Sequence, residues 1–102
     1  MPEFIRVART DDVPEGEIRQ FQVGGEDVAV ANVDGEFYAF GDTCTHMQCS
    51  LADGDLEGTT VTCACHQSEF DVTSGDVLNG PATEPVDSFE VSTEGGELKI
   101  RV

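Results

Sequence analysis

From Leu98 to Val102 apolar and charged residues alternate strictly, as Leu-Lys-Ile-Arg-Val. A period of two belongs to a strand with one face buried and one face wet. Its expected partner is the run at residues 89–93, reached across Glu94-Gly95-Gly96-Glu97. A second hairpin is predicted where residues 29–33 and 37–40 flank Asp34-Gly35. That dipeptide suits a two-residue turn, because both of its residues tolerate the positive φ such turns require. Shorter strands are expected at residues 4–8, 17–23, 60–63 and 69–72. No stretch holds a helical period over three turns, and eleven glycines break the chain into short runs. Many short strands separated by glycine turns predict an all-β fold, an antiparallel sandwich or barrel.

A chain of 102 residues suits one domain with a modest core, which gains from an internal staple such as a metal cluster or a disulfide. Within it, residues 42–83 differ from the rest, since they hold every cysteine and histidine. They read as a ligand-bearing insert, with residues 1–41 and 84–102 as the base β framework. No apolar run approaches the length of a membrane-spanning helix, and the start, Met1-Pro2-Glu3-Phe4-Ile5-Arg6, lacks a signal pattern. A soluble, intracellular protein is expected. Twenty-one acidic residues against five basic ones give a formal net charge of −16. Such a surface repels nucleic acid and anionic membranes and attracts a partner with a basic patch. Solvation alone, notably at high salt, is the compatible alternative.

The candidate chemistry sits in two short segments, Cys44-Thr45-His46 and Cys63-Ala64-Cys65-His66, sixteen residues apart. Two loops, each offering a thiolate and an imidazole, can grip a bimetallic cluster from two sides. Thiolates are soft donors suited to iron–sulfur centres. Imidazole is neutral, so two histidines in place of two cysteines reduce the negative charge on the cluster and raise its reduction potential. A Cys₂His₂ zinc site uses the same ligand types, although C-x-H fits zinc spacing poorly. A purely structural role for these residues is the remaining alternative.

The pattern C-T-H-x16-C-x-C-H, followed by Ser68, Phe70, Asp71, Gly75 and Gly80-Pro81-Ala82, resembles the Rieske iron–sulfur family. Across nearly the whole chain it is similar to the Rieske-type ferredoxins of bacterial aromatic-ring dioxygenase systems. The opening stretch, Asp11-Asp12-Val13-Pro14-Glu15-Gly16-Glu17, adds a weaker likeness. The resemblance implies a Rieske-type antiparallel β-sandwich with a cluster-binding subdomain and one [2Fe-2S] cluster. It implies that Cys44 and Cys63 hold one iron, that His46 and His66 hold the other, and that Gly80-Pro81-Ala82 covers the cluster.

Cys49 and Cys65 depart from many Rieske ferredoxins. Proteins of the cytochrome bc type carry a disulfide between the cluster loops at the matching places. A bridge here would close a loop of 17 residues, worth roughly 3 kcal/mol by loop entropy. Two free thiols in a reducing compartment are the alternative. Ser68 also matches the bc type, where its hydroxyl can hydrogen-bond a cluster sulfur. Phe70 stands where that type has tyrosine, and it is expected to pack in the core.

With both histidines consumed, none remains for the two-His, one-carboxylate iron site of an oxygenase. No G-x-G-x-x-G follows a strand, so there is no case for a nucleotide-binding reductase half. The expected role is that of a monomeric, cytoplasmic one-electron carrier without a catalytic site. Its expected partners are a flavin-dependent ferredoxin reductase and a terminal ring-hydroxylating oxygenase. The alternative is a redox subunit or redox-sensing module of another enzyme complex.

Overall fold

The computed structural model describes residues 4–43, 50–64, 68–80 and 85–101. Its described strands are all antiparallel and form two sheets. The larger is built from β1 (Ile5–Arg9), β2 (Ile18–Val23), β3 (Glu26–Val33), β4 (Glu36–Gly41), β9 (Ser88–Glu94) and β10 (Glu97–Arg101), in the order β1-β10-β9-β4-β3-β2. The smaller runs in chain order through β5 (Asp55–Glu57), β6 (Thr60–Thr62), β7 (Glu69–Asp71) and β8 (Val77–Asn79). The all-β, antiparallel expectation is met.

Both strong hairpins form where the pattern puts them. Asp34 and Gly35 have φ of 53° and 91°, which joins β3 to β4 by a two-residue turn with positive φ at both central positions. Asn32 stiffens this turn from below. Its Oδ1 accepts from the Gly35 amide at 2.9 Å, and its Nδ2 donates to the Val13 carbonyl at 2.8 Å. Gly95 and Gly96 do the same service between β9 and β10, with φ of 57° and 82°.

The short strands appear within a residue of the expected bounds. Three features lie beyond the expectation. β3 begins at Glu26, turning back from β2 over Gly24-Gly25, and β5 and β8 complete the small sheet. Two single-turn 3₁₀ segments, Thr10–Asp12 and Leu51–Asp53, also fall outside it. β5 and β8 have three residues each, too few for a period-two pattern to stand out.

Strand β3 decides how the layers stack. Val28, Ala29, Val30 and Ala31 are all fully buried, so both of its faces are covered. Alternation divides them between two cores. Val28 and Val30 join Val13, Val23, Ala39, Leu98 and Ile100 inside the curled large sheet. Ala29 and Ala31 join Ile18 and Phe40 against Leu51, Val61, Cys63, Phe70, Val72 and Val86, which belong to the small sheet and its connections. The small sheet therefore packs on the β2-β3-β4 half of the large one.

Glycine is required where backbones touch. A Cβ at Gly54 would lie 1.9 Å from the Thr62 carbonyl oxygen, although the backbone there (φ −86°) suits any residue. At Gly95 a Cβ would meet nothing within 4 Å, and only the positive φ opposes it. Gly54→Ala should therefore destabilise the fold by about 1–3 kcal/mol or more through overpacking. Gly95→Ala should cost about 1–2 kcal/mol from conformation alone. Urea unfolding of the two variants beside wild type measures both costs, and a wild-type midpoint in Gly54→Ala would contradict the close approach.

Candidate metal centre

Two loops bear the candidate ligands, and both have rigid roots. The first leaves β4 at Gly41 and returns at Ser50. Thr43 and Ser50 form an isolated antiparallel bridge, so the intervening segment starts and ends side by side. The second is the tip of the β6–β7 hairpin. Thr62 pairs with Glu69, and the Cys63 amide donates to the Ser68 carbonyl at 2.8 Å, which extends the pairing of the two strands to Cys63 and Ser68. Cys63 is fully buried and is not in a disulfide. Cys44, His46 and His66 lie outside the described residues, as do Cys49 and Cys65 with their suggested bridge. Among the described residues no group of three or more His, Cys, Asp or Glu gathers as a metal site.

The loop roots are tied to one another by backbone contacts. Gly54, just beyond the first loop, packs on the carbonyl of Thr62, the residue before Cys63. Leu51 and Cys63 share one buried cluster. Gly80 opens a third segment, whose Pro81 and Ala82 lie outside the described residues, and the chain emerges from it at Pro85. There the Val86 amide donates to the Gly75 carbonyl at 2.9 Å, and a Cβ at Gly75 would lie 2.1 Å from the Val86 carbonyl oxygen. The Gly41 amide donates to the Asp87 carbonyl at 2.8 Å, which joins the root of the first loop to the exit of the third. Three segments of separate sequence thus arise from a small patch of fixed backbone.

Phe70 is fully buried in the cluster that contains Cys63, so the expectation that it packs in the core is met. Ser68 is fully buried beside it in sequence.

A buried acid was missed by the sequence reading. Asp42 is 2% exposed and accepts hydrogen bonds from Gln20, Ser50 and the Ala52 amide. Only its position two residues before Cys44 sets it apart from twenty other acidic residues in the chain.

Charge is segregated. Residues 42–83 contain seven acidic residues and no lysine or arginine, while all five cations lie at positions 6, 9, 19, 99 and 101. Arg6 pairs with Glu97, Arg19 with Glu17, and Arg101 with Glu90. Tyr38 registers the acidic side: its hydroxyl donates to Glu36 at 2.8 Å. That bond, followed by desolvation and the charges of Glu36 and Asp71, raises the phenol above its usual pKa.

A family model of the Rieske [2Fe-2S] domain matches residues 3–90. The chain belongs to that family, and it carries one [2Fe-2S] cluster. It is 35% identical over 99 residues to the ferredoxin component of the naphthalene 1,2-dioxygenase/salicylate 5-hydroxylase systems of a Ralstonia species, covering 97% of this chain and 95% of the relative. Its fold matches the ferredoxin of carbazole 1,9a-dioxygenase from Nocardioides aromaticivorans IC177 with a TM-score of 0.92, at 28% identity and 95% coverage of each chain. It also matches a chain in the complex of reduced oxygenase and oxidized ferredoxin of carbazole 1,9a-dioxygenase, with a TM-score of 0.89 and 36% identity. That match covers 96% of this chain and 92% of the other.

The buried thiol at a hairpin tip is a donor fit for such a cluster, since an unbridged cysteine can ligate iron as the thiolate. Phe70 supports that tip from the core. Phe70→Ala should destabilise the protein by about 3–5 kcal/mol and hasten loss of the cluster. Thermal unfolding and the decay of the visible absorption under a chelator measure both effects, and wild-type values in each would remove Phe70 from the support of the loop.

Proposed function

We propose that this chain is a soluble one-electron carrier that takes electrons from a flavin-dependent reductase and delivers them to a terminal ring-hydroxylating oxygenase of an aromatic-ring dioxygenase system. The observation that carries this reading is the match, over almost its full length, to ferredoxin components of dioxygenase systems. Cys44 and Cys63 are the ligands of one iron, and His46 and His66 of the other. Residues 42–83 act as the cluster-binding subdomain on a base made of residues 1–41 and 84–102. When bound, the cluster supplies a one-electron couple whose potential is raised by neutral imidazole ligands.

What the chain's own residues do is hold and shield. Cys63 is held by the bond from its amide to the Ser68 carbonyl, and Leu51, Val61 and Phe70 keep water from its buried side. A ferredoxin needs no substrate pocket, and with His46 and His66 both on the cluster no histidine remains for an oxygenase iron. The protein therefore has no catalytic site of its own. No helix among the described residues is long and apolar enough to cross a membrane. A cytoplasmic monomer that meets its partners in solution fits this role. The acidic surface is the docking surface, which a basic patch on the oxygenase or the reductase would recognise.

Two measurements test this reading. The purified protein should contain iron and acid-labile sulfide in equal amounts and show a Rieske-type resonance when reduced. His66→Ala should abolish that resonance, and zinc in place of iron after iron-replete growth would defeat the assignment. Reduction of the oxygenase should also slow as salt rises from 0.1 to 1 M, because the Debye length falls from about 10 Å to about 3 Å. A rate that stays flat or climbs with salt would assign the acidity to solvation instead.

A further inference from the structure

We propose that Asp42 is a positioning residue of the cluster: its carboxylate locks the two ends of the first ligand loop together, and its fixed negative charge holds the reduction potential down. This rests on the reading that Cys44 and His46 are ligands.

The geometry comes first. Gln20 on β2 donates its Nε2–H to Oδ2 at 2.7 Å. The Ser50 hydroxyl reaches both carboxylate oxygens, at 2.9 and 2.7 Å. The Ala52 amide donates to Oδ1 at 2.9 Å. The backbone of the same residue closes the frame. The Asp42 amide donates to the Asp27 carbonyl at 3.1 Å, and its carbonyl accepts from the Leu51 amide at 2.6 Å. One residue therefore binds the entry of the loop to its exit and fastens both to β2 and β3. Between these fixed ends run the residues that carry Cys44 and His46.

The electrostatics follow from the donors. Among the described residues every group that reaches the carboxylate is neutral: a side-chain amide, a hydroxyl and a backbone amide. Among the described residues no lysine or arginine pairs with it. A buried carboxylate that is hydrogen-bonded but not neutralised keeps its charge felt through a medium of low dielectric. Its Cα is two residues from that of Cys44, a reach of at most about 7 Å along the chain. Reduction adds an electron nearby, so a negative charge there favours the oxidised state.

The frame and the charge can be separated by substitution. In Asp42→Asn the amide keeps the shape. If its NH₂ takes the place of Oδ2, Gln20 can turn its own amide to accept, and the Ser50 hydroxyl can rotate to suit. The clamp survives and the charge is gone. Ser50→Ala does the reverse, removing one donor and leaving the charge. Asp42→Ala removes both.

The experiment is a redox titration and a chelator-release assay on cluster-loaded wild type and the three variants. Asp42→Asn should shift the one-electron equilibrium toward reduction about tenfold, which is about 59 mV, with release near the wild-type rate. Ser50→Ala should lose cluster several-fold faster with no rise in potential. Asp42→Ala should lose it about tenfold faster or more. A wild-type potential in Asp42→Asn overturns the charge role, and wild-type release from Ser50→Ala overturns the clamp. A rise in potential in both would reduce Asp42 to ordinary loop packing. If Asp42→Ala yields no loaded protein, the other two variants still decide. A Rieske-type resonance in wild type, lost in His46→Ala, isolates these outcomes from any failure of the ligand assignment.

Discussion

Burial of β3 on both faces is the constraint on which the rest depends. A strand covered on one side would support a single core, and a chain of this size has little apolar surface for a second. By sending Val28 and Val30 one way and Ala29 and Ala31 the other, the same four residues close the curled base sheet and seat the small sheet. The alanines matter as much as the valines. Small side chains on the outer face let Phe40, Leu51 and Phe70 interlock over them, which brings the small sheet against the base. The loops proposed to carry the ligands then inherit their stiffness from a packed layer rather than from their own short sequences.

Close backbone contacts add to the stiffness that the packed side chains provide. At Gly54 and Gly75 a single methyl group would collide with a carbonyl, so adjacent segments ride on one another with nothing between them. Redox proteins benefit from sites that barely move when an electron arrives. Short loops with joined roots provide such a site without demanding a large core. Asp42 adds the polar counterpart, in which one buried carboxylate is itself satisfied by donors from three separate positions.

The sequence made the architecture legible where pattern and turn chemistry agree. Asp34-Gly35 and the alternation of Leu98 to Arg101 each named a hairpin, and the paired Cys and His segments named the family. β5 and β8 stayed hidden because three residues carry no period, and because their place in the sheet is set by β6 and β7 rather than by their own composition. Asp42 stayed hidden for a different reason. In a chain so acidic, a carboxylate that is buried looks the same as one that is solvated until its donors are seen, and those donors come from positions 20, 50 and 52. The environment of Cys63 was half legible: its spacing from the other cysteines and histidines could be read, its complete burial could not.

The separation of charge gives the molecule a handle on its own orientation. Four of the five cations lie on β1 and β10, neighbours at one end of the large sheet, whereas the small sheet and its loops, packed on the β2-β3-β4 half, carry only negative charge. Such a body is an electric dipole as well as an anion. In the field of a positively charged surface it experiences a torque before it makes contact, and it turns its small-sheet side forward. Tumbling that would otherwise waste most collisions is biased while the two molecules are still apart.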